Sequence, residues 1–451
     1  MANATLPADS TRLLARWVSS LRFEDLPGEV VTAARLQIID TLAVAWAGSK
    51  AESVNPVRTA ISDIGGTPQA RVWCFGDRLP ATQAAFVNGM LAAALDFDTL
   101  HDRANVHSDG VVLPAVFALA EARDASGSQM IAALVAGGEL MVRLGLAAQS
   151  APGWYYSSVF GAFGAAAAAS NLLGLSETQT LHALGIALSQ AAGTQQPLLE
   201  RSLTKRLQTA YAARQGVEAA LLAEAGVTGP TQPLEGVAGI GRLYAPLDAS
   251  LLEGLGQRYA SLGMTFKKYA SCMCNHAPIE AALRLRADTK VQPAELDRVQ
   301  VTISPFMHRL TGAPFTPGDS PQVSAQFNVR FSVASALLRG RFETRDIAPD
   351  AVLDSRVLDL ASRVEVRVDE SAGRFGPAYL QIRRRDGREH TIHVQAPPGT
   401  PEDPLTEAEI LEKTHKAFTQ AANPLSDHAA GALIQALQSL ERWPHVRALP
   451  H

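Results

Sequence analysis

The 451-residue chain is 47% hydrophobic and 19% charged, with 40 basic against 44 acidic side chains and a formal net charge of −4. That composition excludes a disordered polymer, and the small net charge argues against a nucleic acid or an anionic membrane surface as partner. Three cysteines, Cys74, Cys272 and Cys274, are too few for a disulfide framework; with no signal-peptide pattern at the start, they point to a cytoplasmic protein.

Up to about residue 260 the pattern is helical throughout. TRLLARWVSSL (11–21), VTAARLQIIDTLAVAWAG (31–48), QAAFVNGMLAAAL (83–95), LPAVFALAEA (113–122), QMIAALVAGGELMVRLGLAA (129–148), TLHALGIALSQAA (180–192) and QGVEAALLAEAG (215–226) repeat apolar residues every three to four positions. Some are apolar almost all round, which predicts helices buried on every side. The most apolar stretches, such as VFGAFGAAAAA (159–169), read as too short to span a bilayer.

The texture changes past about residue 295. DRVQVTISPF (297–306), SRVEVRVDES (362–371), YLQIRRRDG (379–387) and HTIHVQAP (390–397) alternate with period two, and Asp386-Gly387 marks a hairpin turn. SAQFNVRFSVASALLRGRF (324–342) reads as one helix between strands. After PPGTPEDP (397–404) helical patterning resumes. The expected fold is therefore mostly α: a large all-helical domain (1–261), interrupted by a smaller α+β domain (262–397) that closes like a lid, and a C-terminal helical return (398–451).

The chemistry concentrates in ALDFDTLHDRANVHSDG (94–110). Asp96, Asp98, His101 and His107 have the atom types of metal ligands, but their spacing matches no ligand signature. A polar loop with Asp and Asn at turn positions is a second reading. The third is cofactor-free proton transfer next to a carboxylate, which needs a base, an acid and cations to hold a dianionic intermediate. Asp96 or a neutral histidine would be the base and His101 or His107 the acid, with Arg103 clamping a carboxylate. On this reading a helical pocket raises the aspartate pKa towards working pH. ERSLTKRLQTAYAARQG (200–216) adds Lys205 and Arg206, placed just ahead of a helix as anion binders, whereas Arg201 and Arg214 read as a solvated face. TFKKYASCMCNHAPIEAAL (265–283) adds Lys267, Cys272 and His276. Cys272 reads as a small pocket-lining residue without the lowered pKa of a nucleophile.

Together these blocks resemble the MmgE/PrpD family of dehydratases, decarboxylases and epimerases acting on small carboxylates. LQIIDTLAVAWAG (36–48) resembles its early core helix, and residues 84–121 its central DFDDTH…HPS motif. VFGAFGAAAAASNLLGLS (159–176), LTKRLQTAYAARQGVEAALLA (203–223), KKYASCMCNHAPIEAAL (267–283) and AQFNVRFSVASAL (325–337) are similar to further blocks in the same order. The resemblance implies an active site between a helical and an α+β domain, a homodimer, and no required metal or organic cofactor. It places the first family aspartate on Asp96 and keeps Asp98. His101 and His107 fall on the two motif histidines, Lys205 and Lys267 on the lysines of their blocks, and His276 on the histidine closing the second block.

The chain also departs from the family pattern. Leu100 occupies the threonine position, and HPS has become His107-Ser108-Asp109. Tyr155 stands where members often carry histidine, either as a substitute hydrogen-bond donor or as a volume-filling aromatic. Cys272 stands near a further histidine of the decarboxylase branch. These two changes point away from that branch. The favoured expectation is a hydro-lyase acting on a small di- or tricarboxylic hydroxy acid; an epimerase or isomerase, or a carboxylate-binding protein without catalysis, are the alternatives.

Overall fold

A computed structural model describes residues 6–149 and 153–450. The first half is a helical bundle: α1 (Ser10–Ser20), α2 (Gly28–Gly48), α3 (Val54–Ser62), a small hairpin of β1 (Ala70–Arg71) and β2 (Arg78–Leu79), α4 (Ala81–Ala93), α5 (Asp109–Arg123) and α6 (Gly127–Ala147). It continues through α7 (Tyr156–Leu172), α8 (Glu177–Leu188), the single turn α9 (Gln196–Leu199), α10 (Thr204–Glu224) and the short α11 (Ile240–Leu243). Mostly α is thus the fold class, with a small sheet beside it, as the periodicity predicts.

The bundle centres on α7, which packs against α6, α10, α5 and α8. Its sequence explains that position. Residues 161–169, GAFGAAAAA, are small except for Phe163, so neighbouring helix backbones approach closely and bury it almost completely. A Cβ on Gly216 of α10 would fall inside contact distance of the Ala165 Cβ, so the α7–α10 crossing needs glycine there. Two 21-residue helices, α2 and α6, do have the length and apolarity of membrane spans, contrary to the reading of the sequence; 67% and 94% of their apolar windows are buried within the bundle.

Past residue 275 come α12 (His276–Thr289), β3 (Leu296–Ile303), α13 (Pro305–Thr311), α14 (Pro321–Gln326), α15 (Val329–Arg339), α16 (Pro349–Val352), α17 (Ser355–Ser362), β4 (Val364–Val368), β5 (Ala378–Arg384) and β6 (Glu389–Val394). The sheet order is β4-β3-β5-β6, with β3 and β4 parallel and the other pairs antiparallel. The Asp386-Gly387 turn joins β5 to β6, with Gly387 at φ +85°. The single helix expected over 324–342 is two. It breaks at Phe327-Asn328, where the Asn328 side chain accepts from the Phe331 amide and caps α15. Finally α18 (Glu407–Thr419) and α19 (Asp427–Gln438) return to pack against α2.

The packing yields a paired test. Gly216→Ala is expected to cost about 1–3 kcal/mol in denaturant unfolding through overpacking. Gly138→Ala in α6, where an added Cβ meets no atom within 4 Å, is expected to be neutral or to stabilise by up to about 1 kcal/mol. Equal effects would contradict the close α7–α10 crossing.

Candidate active site

The loop that follows α4 carries Asp96 at φ +49°, a left-handed turn that aspartate tolerates. The turn aims its carboxylate at two lysines. Lys205 Nζ is 2.5 Å from Asp96 Oδ1. Lys267 Nζ is 3.1 Å from Oδ2 and donates to the Asp96 carbonyl at 2.7 Å. Lys205 comes from the first turn of α10 rather than from ahead of the helix. Lys267 follows an antiparallel bridge between Leu100 and Thr265 that ties its segment to the Asp96 loop. All three side chains are buried.

Burial alone would raise the Asp96 pKa, as the sequence reading expects. Lys205, Lys267 and His107 outweigh it, and the carboxyl is held well below its ordinary value of 3.8. The same pairing lifts Lys205 above its ordinary range against the pull of burial. Asp96 is thus a fixed negative charge rather than a base poised near neutrality.

His107 lies just ahead of α5, its amide held by the Ser157 hydroxyl of α7 at 3.0 Å. Its Nδ1 faces two acceptors, the Thr99 carbonyl at 2.9 Å and Asp98 Oδ2 at 3.1 Å. Neither acceptor carries a proton to give, so Nδ1 is the donor in these contacts and Nε2 is the nitrogen left to exchange a proton. Asp98 is fully buried; burial pushes its pKa up, but His107, Lys267 and Lys205 bring it below the ordinary value. It also crowds the start of α5: a Cβ on Gly110 would sit 2.8 Å from Asp98 Oδ2, so glycine is what allows the carboxylate to approach that helix N-terminus.

Tyr155 caps α7 and lies beside Lys205, whose Nζ is 5.8 Å from the ring centroid. Its hydroxyl is buried next to Ser157 with no partner of ordinary hydrogen-bond geometry. Burial raises its pKa, so it remains a proton donor. Cys272 sits by the same cluster, within electrostatic range of Asp96 and Lys267. A hydrogen bond from Cys274 holds its thiol below the ordinary value, which the sequence reading did not expect.

Other candidates make their hydrogen bonds away from this group. His101 is buried, but its Nδ1 accepts from the Ala104 amide and its ring packs on Gly263; burial lowers its pKa. Arg103 is exposed on the outer side of the loop. His276 starts α12, with Nε2 3.3 Å from the Ser271 carbonyl and its ring edge-on to Tyr269; burial and Lys267 bring its pKa to about 3. Arg206 is buried and donates to the Glu52 carbonyl at 2.9 Å, with Asp96 in electrostatic range; burial brings it down to about 10. Among the described residues no three His, Cys, Asp or Glu side chains converge as a metal-ligand set.

Three contributors were missed in the sequence. Lys413 of α18 lies 2.7 Å from Asp40 of α2 and donates to the Lys267 carbonyl at 2.8 Å, with its ammonium 3.9 Å from the Phe97 ring centroid. The Asp40–Lys413 pair therefore fixes the backbone beside both Asp96 and Lys267. Asp40 had a visible signal, as the one charge in the apolar run LQIIDTLAVAW. Asp109 receives the Thr99 hydroxyl at 2.5 Å, and burial raises its pKa to about 6. A cavity of about 650 Å³ opens behind this wall, lined by Leu95, Phe97, Tyr269 and Lys413 but not by Asp96 or Lys267.

Family models described as the MmgE/PrpD N-terminal domain and the MmgE/PrpD C-terminal domain match residues 12–250 and 269–438. A cis-aconitate decarboxylase-like protein of Aspergillus oryzae is 30% identical, over 92% of this chain and 92% of its own length. The cis-aconitate decarboxylase of Aspergillus terreus is 27% identical over 99% and 96%, and that of Homo sapiens 29% identical over 96% and 92%.

The electrostatics give a direct test. Asp96 is expected to stay ionised in carboxyl-carbon NMR as pH falls through 3.8, so its stabilisation is present above that value and is lost only at lower pH. Lys267→Met should raise its titration midpoint and destabilise the fold by about 3 kcal/mol, the cost of breaking a buried pair. An unchanged midpoint would refute the two-lysine arrangement.

Proposed function

The chain belongs to the MmgE/PrpD family, and on that premise we propose that it is a lyase that makes a carbanion next to a carboxylate of a small di- or tricarboxylic acid. The observation that carries this reading is the Asp96–Lys205–Lys267 cluster, two buried ammonium groups within 3.1 Å of one carboxylate. A substrate carboxylate binding beside them gains from both lysines, and so does the enediolate formed when its α-carbon loses a proton. Asp96 keeps the lysines charged and aligned in the free protein.

The proton work falls to the two remaining groups. His107 Nε2 takes the α-proton, while Nδ1, held by Thr99 and Asp98, carries the resulting positive charge on the ring. The Tyr155 hydroxyl, protonated and unpartnered, delivers a proton to a departing hydroxyl. Loss of water from a β-hydroxy acid uses both groups and is the favoured outcome. Decarboxylation of a cis-aconitate-type acid is the second reading, favoured by the names of the relatives. It needs only the cationic sink and one proton donor, so the same residues serve. We read the site as working without a metal or organic cofactor, in a cytoplasmic homodimer.

Proton NMR in deuterium oxide separates these outcomes on a panel of hydroxy acids, amino dicarboxylates and cis-aconitate. Loss of water, loss of carbon dioxide, and exchange with retained composition mark dehydratase, decarboxylase and epimerase. His107→Asn is expected to lower turnover by about 10²–10⁴. Tyr155→Phe should retain α-proton exchange while losing elimination. Equal loss of both in Tyr155→Phe would remove tyrosine from the leaving-group role, and no turnover of any compound would favour a binding protein.

A further inference from the structure

Two arginines outside the Asp96 cluster dock on the same short helix, α13, one from the helical part of the chain and one from the β4–β5 loop. Arg201 belongs to the helical part, on the turn between α9 and α10. Its Nη2 donates to the Leu310 carbonyl of α13 at 2.9 Å, and its guanidinium lies 5.4 Å from the Phe327 ring centroid. Arg374 belongs to the loop between β4 and β5. Its Nη2 donates to Asn105 Oδ1, in the Asp96–His107 loop, at 2.7 Å, and it lies 4.3 Å from the Phe306 ring centroid. Each thus crosses to the opposite part of the chain, and both interact electrostatically with Cys272.

Their partners are incomplete. Lys205, Lys267, Arg143 and Lys413 each lie within ion-pair distance of a carboxylate. Arg201 and Arg374 form no such pair among the described residues: their hydrogen bonds go to a neutral carbonyl and a neutral amide. Asp102, the carboxylate that acts most on Arg374, makes no ion pair with it. Arg374 Nε is buried without a hydrogen-bond partner. Half-buried guanidinium groups left in this state are short of an anion. The backbone adds a second sign. Arg201 has φ +59°, a left-handed conformation that a long side chain adopts at a cost and that clusters at binding sites. Asn105, which holds Arg374, has φ +57°.

We propose that Arg201 and Arg374 form a second carboxylate anchor beside Cys272, distinct from the Lys205–Lys267 anchor, so that a substrate is selected for carrying a distal carboxylate. The inference rests on the reading of the lysine cluster as the first carboxylate site. Planar guanidinium groups suit this task, since each offers two parallel N–H donors to the two oxygens of a carboxylate. Because one arginine comes from the turn before α10 and the other from the β4–β5 loop, a bound distal carboxylate also draws those two segments together.

Binding of unreactive acids tests this without turnover. Titration calorimetry would compare tricarballylate, glutarate and butyrate with the wild-type chain, Arg201→Gln, Arg374→Gln and Lys267→Met. The wild type is expected to bind glutarate and tricarballylate about tenfold or more tighter than butyrate. Each arginine variant should cut that preference about fivefold or more while leaving butyrate affinity in place. A role limited to joining the two parts would lower thermal stability but not the glutarate-to-butyrate ratio, so an unchanged ratio overturns the proposal. If the Gln variants do not fold, Arg201→Lys and Arg374→Lys carry the same comparison, since lysine keeps the charge and loses the paired donors. Lys267→Met is the separate control: it should weaken all three acids, and failure there sinks the first-anchor reading while the ratio still reports on the arginines. A wild type that binds none of the acids overturns both.

Discussion

A carboxylate held between two ammonium groups away from water is the constraint around which this molecule is organised. Asp96, Lys205 and Lys267 come from three distant parts of the chain, and none is affordable in the interior alone. Their mutual attraction ties together the loop after α4, the first turn of α10 and the segment before α12. It also decides the chemistry. A carboxylate locked in its ionised form keeps the lysines cationic, and in the proposed mechanism acid–base exchange passes to His107 and Tyr155.

The surrounding shell serves that arrangement by fixing the backbone more than by touching the reacting groups. Thr99 joins His107 to Asp109, with its carbonyl on one and its hydroxyl on the other. Gly110 leaves room for Asp98 where any side chain would intrude. Asp40 and Lys413 brace the Asp96 and Lys267 segments from behind. Polar groups so densely interlinked inside an apolar bundle have few alternative arrangements.

Much of this was legible in the sequence because helix burial leaves a periodic trace. The 3.6-residue repeat in the first half, the alternation around Asp386-Gly387 and the switch between them reflect which faces avoid water. The ordered motifs placed Asp96, His107, Lys205 and Lys267, which the fold brings together with Tyr155. Direction was not legible. His101 has the right chemistry and neighbours, but its ring turns towards Gly263, because a local bridge between His101 and Val106 sets the loop's course. The sign of the Asp96 pKa shift was also hidden, since burial and two lysines pull in opposite directions and only distance decides. Arg201 was passed over because a Lys/Arg run usually faces water; the aromatic Phe327 that shelters it lies 126 positions away in the chain.

The Asp40–Lys413 pair has a consequence for how the protein is made. Asp40 emerges from the ribosome early, and its partner appears only after more than three hundred further residues have been synthesised. Until then the bundle holds a carboxylate in an apolar helix without its cation, and the segments bearing Phe97 and Lys267 lack their brace. A chain stalled or truncated before α18 therefore has every residue of the proposed site in its sequence and not the framework that aligns them. Docking of α18 is the step that supplies that framework, because it brings Lys413 to Asp40 and to the Lys267 carbonyl.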